Sequence, residues 1–157
     1  MKAGREPDLS APLGVATEIN LHVPSLLPER YCSDVHERLV LYKRLANCET
    51  TDQLDLMQEE LVDRFGTPPE PAQALIACHR LRLVAKPKGI AKVDASAERT
   101  SIQFVKHPPF DPTSLIAIIK NDGRVRFAGP DRLRIDRAAP LLAERVALVK
   151  EFIGRLA

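Results

Sequence analysis

The sequence predicts an α+β fold: a single domain in which a helical hairpin and a third helix pack with a small, mostly antiparallel sheet and a C-terminal helix. Three observations predict it. Residues 34–85 carry three helical apolar periodicities separated by short links. Residues 90–135 break into short segments of alternating polarity, interrupted by one short helix. Residues 139–156 return to helical spacing. The length of 157 residues is enough for one domain with its own core, and 45% hydrophobic with 28% charged residues is the composition of an ordinary folded chain.

In order, residues 1–16 are polar, with Gly4, Pro7, Pro12 and Gly14, and read as a linker or arm. Thr17 to Val23 alternates, with Ile19, Leu21 and Val23 on one face, as expected of a half-buried strand. Ser33 is placed to cap a helix from Asp34 to about Asn47, whose buried face is expected to be Val35, Leu39, Tyr42, Leu45 and Ala46. Thr50 and Gln53 form the pattern of a capping box for the next helix, with Leu54, Leu61 and Phe65 as its stripe, supported by Met57 or Val62. Gly66 stands where a left-handed C-terminal cap is wanted, and Pro68 forbids continuation. So short a link between the two helices favours an antiparallel hairpin. A third helix starts within Pro69–Pro71 and runs to Ala85, burying Ala72, Leu75, Ile76, His79, Leu83 and Val84.

Ile90–Ala95 and Thr100–Lys106 form a hairpin around Ser96–Arg99. Asp111-Pro112 opens a short helix through Leu115, Ile116 and Ile119 that ends near Gly123. Val125 and Phe127 mark one strand, Leu133 and Ile135 another. The last helix spans about Ala139–Leu156, with Leu142, Val146, Val149, Phe152, Ile153 and Leu156 available to the core.

Candidate chemistry is sparse. Neither G-x-x-x-x-G-K-[ST] nor G-x-G-x-x-G occurs, so the chain carries no phosphate cradle for nucleotide hydrolysis, and no G-x-S-x-G elbow marks a nucleophile. Cys32, Cys48 and Cys78 show no C-x-x-C spacing and read as reduced thiols rather than zinc ligands or a disulfide framework. His79, on an apolar face, reads as a satisfied core histidine. The expected catalytic, cofactor and metal residues are therefore none. No apolar run is of membrane-spanning length and the first residues lack a signal-peptide core, so the expected location is the cytoplasm.

What stands out is the second helix. Asp52, Asp55, Glu59, Glu60 and Asp63 precede its first basic residue, Arg64. The carboxylates of Glu60 and Asp63 lie three residues apart, on one side of a helix. A solvated face and a protein-binding face both fit this pattern; nothing around it provides the cleft that general acid–base work requires. A net charge of +2 decides nothing about nucleic acid. The run Arg80, Arg82, Lys86, Lys88 and Lys92 is the alternative interaction feature, a candidate phosphate contact, but 4% aromatic content and no Trp give single strands little to stack on.

Four segments in order, Glu18-Ile19-Asn20-Leu21, Leu27-Pro28-Glu29-Arg30-Tyr31, Arg38-Leu39-Val40-Leu41-Tyr42-Lys43-Arg44-Leu45-Ala46 and Glu60-Leu61-Val62-Asp63-Arg64-Phe65-Gly66-Thr67-Pro68-Pro69, resemble the C-terminal domain of the bacterial transcription-repair coupling factor, Mfd. The resemblance covers roughly Thr17 to the C-terminus. Cys32 departs from it, standing where the family more often has an aliphatic residue. The resemblance implies that residues 17–157 are this regulatory domain and that residues 1–16 are the tail of a connection to a motor. The parent it implies is an ATP- and Mg-dependent translocase on double-stranded DNA that displaces stalled RNA polymerase and recruits the excision-repair protein UvrA. The domain itself is then no enzyme and needs no cofactor. Its implied partner is the UvrB-like N-terminal domain of the same protein, whose UvrA-binding surface it covers, with UvrA and RNA polymerase as indirect partners. Matched position by position, Glu60 and Asp63 are the carboxylates that face arginines of that domain, and Asp55, Glu59 and Arg64 extend the contact. A DNA-contacting accessory domain that uses Arg80, Arg82, Lys86, Lys88 and Lys92 is the rival expectation.

Overall fold

A computed structural model describes residues 17–156; the expected linker 1–16 lies outside the described residues. The architecture is a helical layer on one face of a five-stranded mixed sheet, with a further pair of helices packed on the first long helix of that layer. In chain order the elements are β1 (Glu18–Asn20), α1 (Val35–Ala46), α2 (Thr51–Phe65), α3 (Glu70–Ala85), a 3-10 turn (Lys86–Lys88), β2 (Ile90–Ala95), β3 (Thr100–Phe104), α4 (Pro112–Asn121), β4 (Val125–Gly129), β5 (Arg132–Ile135) and α5 (Leu142–Arg155). The sheet order is β1-β2-β3-β5-β4; β1 pairs in parallel with β2, and every other pairing is antiparallel.

Apolar side chains gather in two clusters. One lies between the sheet and α3, α4 and α5 and contains Leu21, Leu81, Ile90, Val93, Ile102, Leu133, Val149 and Phe152. The other holds α1 and α2 against α3 through Leu41, Leu45, Leu54, Met57, Leu61, Leu75 and Ile76. The two clusters share α3. Its Ala72, Leu75 and Ile76 serve the helical cluster, while Leu81 and Ala85 serve the sheet. That double duty explains why an expected single buried face is too narrow for α3: Ala74, Leu81 and Ala85 are also buried, while His79, Leu83 and Val84 are only half-buried.

Three expected details are corrected. The first strand stops at Asn20 because His22 has a φ of 57°, a left-handed conformation that no strand continues through; Leu21 is nevertheless buried. Asp34, not Ser33, caps α1: its carboxylate accepts from the backbone N–H of His36 and Glu37. The buried face of α1 is Leu41, Leu45 and the following Cys48; of the expected face Leu45 is buried and Tyr42 half-buried, while Ala46 is exposed and Val35 and Leu39 are 58% and 61% exposed. Two apolar stripes wind round this helix, and the spacing alone does not say which one meets α3. The α2 boundaries were better marked. The Thr50 hydroxyl accepts from Gln53 N–H, the Gln53 side chain accepts from Glu49 N–H, and Gly66 ends the helix at φ 87°.

Candidate functional site

The α1–α2 hairpin is tied by charge across its antiparallel faces. Arg44, near the end of α1, donates two parallel hydrogen bonds to the Glu60 carboxylate, at 2.7 and 2.8 Å. Arg64, near the end of α2, reaches Glu60 at 3.1 Å and Glu37, near the start of α1, at 2.8 Å, and its guanidinium lies 4.9 Å over the Phe65 ring. The Arg44 hydrogen bonds hold the Glu60 carboxyl down to about 2; partial burial opposes them and Arg64 assists. A carboxylate with this many donors is committed to the fold.

The next turn of the chain is tied in the same way. The Tyr31 hydroxyl donates to the carbonyls of Leu61 and Gly66, at 3.1 and 2.8 Å, and its ring lies 5.5 Å from that of Phe65. The Tyr42 hydroxyl accepts from Leu27 N–H at 2.8 Å. The segments around Leu27–Tyr31, Arg38–Ala46 and Glu60–Gly66 therefore meet one another in this helical half.

Of the five residues expected at a protein interface, the structure places three on the outward side of α2 and two on the side that faces α1. Asp55, Glu59 and Asp63 line a shallow groove with Gln58 and Val62. Glu59 and Asp63 are exposed and form no ion pair among the described residues. Asp55 pairs with Arg80 at 2.8 Å while remaining half exposed. Leu56 and Val62 stand among these carboxylates at 65% and 42% exposure. Glu60 and Arg64 lie round the helix, facing α1. Sequence spacing placed Glu60 with Asp63; it gave no sign that Arg44, sixteen residues upstream, would claim the first of them.

The five basic candidates are not brought to one surface. Arg80 is held by Asp55 and by the side-chain Oε1 of Gln58, Arg82 donates to His79 Nδ1 at 3.1 Å, and Lys88 donates to the Leu156 carbonyl at the end of α5. Lys86 is exposed, and Lys92 lies on the sheet 3.9 Å from Glu18. Burial, with the nearby Arg82, pushes the His79 imidazole below its usual range, in keeping with a neutral acceptor. Cys32 and Cys48 are buried free thiols and Cys78 is half-buried. Among the described residues no group of three His, Cys, Asp or Glu is placed to hold a metal ion, and no helix is long and apolar enough to cross a membrane.

The Glu60 network carries a pH signature. Because its carboxyl is depressed from an ordinary 4.5 to about 2, Glu60 contributes stability above pH 4.5 that is lost as the pH falls toward 2. In denaturant titrations the wild type is expected to exceed Glu60→Gln in stability at neutral pH, with the gap closing below about pH 3. A gap that persists unchanged at pH 2 contradicts this assignment.

Comparison with known proteins gives a consistent result. The family model described as the TRCF domain matches residues 21–115. The chain is 36% identical over 157 residues to the transcription-repair-coupling factor of Escherichia coli (strain K12), covering 99% of this chain and 14% of that protein. It is also 36% identical over 135 residues to the transcription-repair-coupling factor of Haemophilus influenzae, covering 85% of this chain and 12% of that one. The chain thus spans a small part of the length of these relatives. A crystal structure of the C-terminal domain of transcription-repair coupling factor superposes with a TM-score of 0.71 at 20% identity, covering 90% of this chain and 94% of that one, and shares the fold.

Proposed function

Because this chain belongs to the transcription-repair coupling factor family, we propose that it is a non-catalytic docking domain whose acidic α2 surface binds an arginine-bearing face of the UvrB-like N-terminal domain of the same protein. In that position it masks the surface through which the protein recruits UvrA. The rest of the parent supplies the ATP-driven movement on double-stranded DNA that displaces stalled RNA polymerase. The observation that carries the reading is the outward face of α2: Glu59 and Asp63, ion-paired to nothing among the described residues, flank exposed Leu56 and Val62. Carboxylates around a small apolar centre match a guanidinium-rich partner, with apolar burial giving affinity and charge giving orientation.

The division within α2 refines the roles. Asp63 and Glu59 make the contact, with Asp55 extending it by sharing Arg80. Glu60 and Arg64 hold the α1–α2 hairpin that presents them. Pairs at such a rim are individually weak and screened by salt, which suits a contact that has to open. In full-length protein, Glu59→Ala combined with Asp63→Ala is expected to raise UvrA capture at unchanged domain stability, whereas Glu60→Ala lowers domain stability as well. UvrA capture indistinguishable from wild type in the Glu59/Asp63 variant removes this face from the mechanism.

A further inference from the structure

Among the described residues the sheet carries helices on one face. On the other, strand alternation assembles a basic surface. Leu133 and Ile135 point into the core, so Arg132 and Arg134 point out; Val125 is buried, so Arg126 points out beside Arg134. Register places Ser101 opposite Arg134, and Gln103 opposite both Arg132 and Lys92. Lys92, Ser101, Gln103 and Arg132 line one shallow depression together with Asp94.

Charge on this face is polarised. At the β1–β2 edge, Glu18 faces Lys92 and Asp94 faces His22. At the β5–β4 edge, three arginines meet one carboxylate: Asp136 takes Arg134 at 3.0 Å and Arg126 at 3.4 Å, and Arg132 has no ion-pair partner among the described residues. Like charges opposite one another across strands cost stability; Asp136 offsets only part of the Arg126–Arg134 juxtaposition, and with Arg132 the edge keeps an excess of positive charge that an external anion would balance.

We propose that this open sheet face, through Arg126, Arg132 and Arg134 with Lys92, Ser101 and Gln103, contacts the phosphate backbone of double-stranded DNA. The chemistry of the face selects that partner. Guanidinium, ammonium, hydroxyl and amide donors are the groups that contact phosphate oxygens. Among the described residues its outward strand positions carry no Phe, Tyr or Trp; Phe127, 53% exposed on the edge strand, pairs with Leu133 and alternates to the other side. The face therefore offers no large stacking platform for single strands and no aromatic or aliphatic anchor of the kind around which a protein–protein contact is organised. Binding is therefore independent of sequence and dominated by salt. This surface is distinct from α2 and shares only Lys92 with the basic run Arg80, Arg82, Lys86, Lys88 and Lys92, so it stands or falls independently of the docking reading.

The test is fluorescence anisotropy of the 157-residue chain with a short mixed-sequence duplex, titrated between about 50 and 200 mM salt. Binding at the low end that weakens steeply with salt is expected. The triple variant Arg126→Gln, Arg132→Gln, Arg134→Gln is expected to bind at least ten-fold more weakly, with the salt slope reduced by about three, while its circular dichroism and unfolding midpoint stay near wild type. Replacing Lys86 and Lys88 with Gln is expected to leave duplex binding unchanged. Three results overturn the proposal: no duplex binding at the lowest salt, undiminished binding by the folded triple variant, or equal affinity for a glutamate-rich peptide or a single strand.

Discussion

Replacing Arg145 with alanine is expected to cost about 3–5 kcal/mol of stability, a large share of what a domain of this size possesses. Arg145 lies in α5 and is only 6% exposed. Among the described residues its guanidinium has no carboxylate partner; it donates instead to three backbone carbonyls, through Nε to Ala139 at 2.8 Å, Nη1 to Leu21 at 2.7 Å and Nη2 to Pro140 at 3.1 Å. These bonds tie the C-terminal helix to the segment that follows β1, at the far end of the chain. Alanine removes every donor at once, leaves the buried Ala139 and Leu21 carbonyls without partners and opens a cavity where the side chain packed. Arg145→Lys retains one charged donor group but not the planar fork that reaches three acceptors, and its loss is expected to be smaller. Urea unfolding measures both, and hydrogen exchange at β1 and β2 amides is expected to accelerate first. A midpoint within 1 kcal/mol of wild type for Arg145→Ala would contradict this account.

Gly89→Ala is the second large effect. Gly89 follows the Lys86–Lys88 turn in a left-handed conformation, at φ 73° and ψ 26°, and its carbonyl accepts from Val105 N–H as β2 begins. A Cβ there would lie 2.7 Å from Pro109 Cδ and 2.9 Å from Pro108 Cα. The backbone conformation costs about 1–2 kcal/mol for alanine, and the collision with a proline pair that cannot easily yield adds a similar amount, so roughly 2–4 kcal/mol is expected. Two other glycines serve as references. Gly66 has φ 87° and ψ −169° with open space around it, a backbone region essentially reserved to glycine, so Gly66→Ala is expected to lose about 1–3 kcal/mol from conformation alone. Gly123 has neither constraint, and Gly123→Ala is expected to be close to neutral. A loss at Gly89 of no more than the ~1–2 kcal/mol of the left-handed conformation would show that the proline contact yields freely.

These two residues also mark where sequence reasoning reaches its limit. The α+β class, the order of the elements and the ends of α2 were legible because they rest on local chemistry: Thr50 and Gln53 at one end, Gly66 and Pro68 at the other. The β2–β3 hairpin was legible because alternation brackets a turn at Ser96–Arg99. Arg145 was not, since an arginine between apolar positions of an amphipathic helix reads as solvent-facing until the Leu21 carbonyl is seen to arrive from the other end of the chain. The buried side of α1 failed for a related reason: Val35 and Leu39 are as apolar as Leu41 and Leu45, and only the position of α3 chooses between them.

The candidate site divides along the same line. That α2 carries an acidic surface follows from residue order alone. That Glu60 belongs to an internal network with Arg44, Arg64 and Glu37, while Glu59 and Asp63 face outward, follows from the hairpin register. Arg126, Arg132 and Arg134 lie close together in the sequence, but only the pairing of β4 with β5 shows that they share one face.

The central claim, that the outward face of α2 is a docking surface, is tested most directly by calorimetric titration of this chain with the isolated UvrB-like domain of its parent, at low and moderate salt. The account predicts binding that weakens with salt and falls about ten-fold, or ~1.4 kcal/mol, in a Glu59→Ala/Asp63→Ala variant of unchanged stability. Binding of wild-type strength by that variant would contradict it.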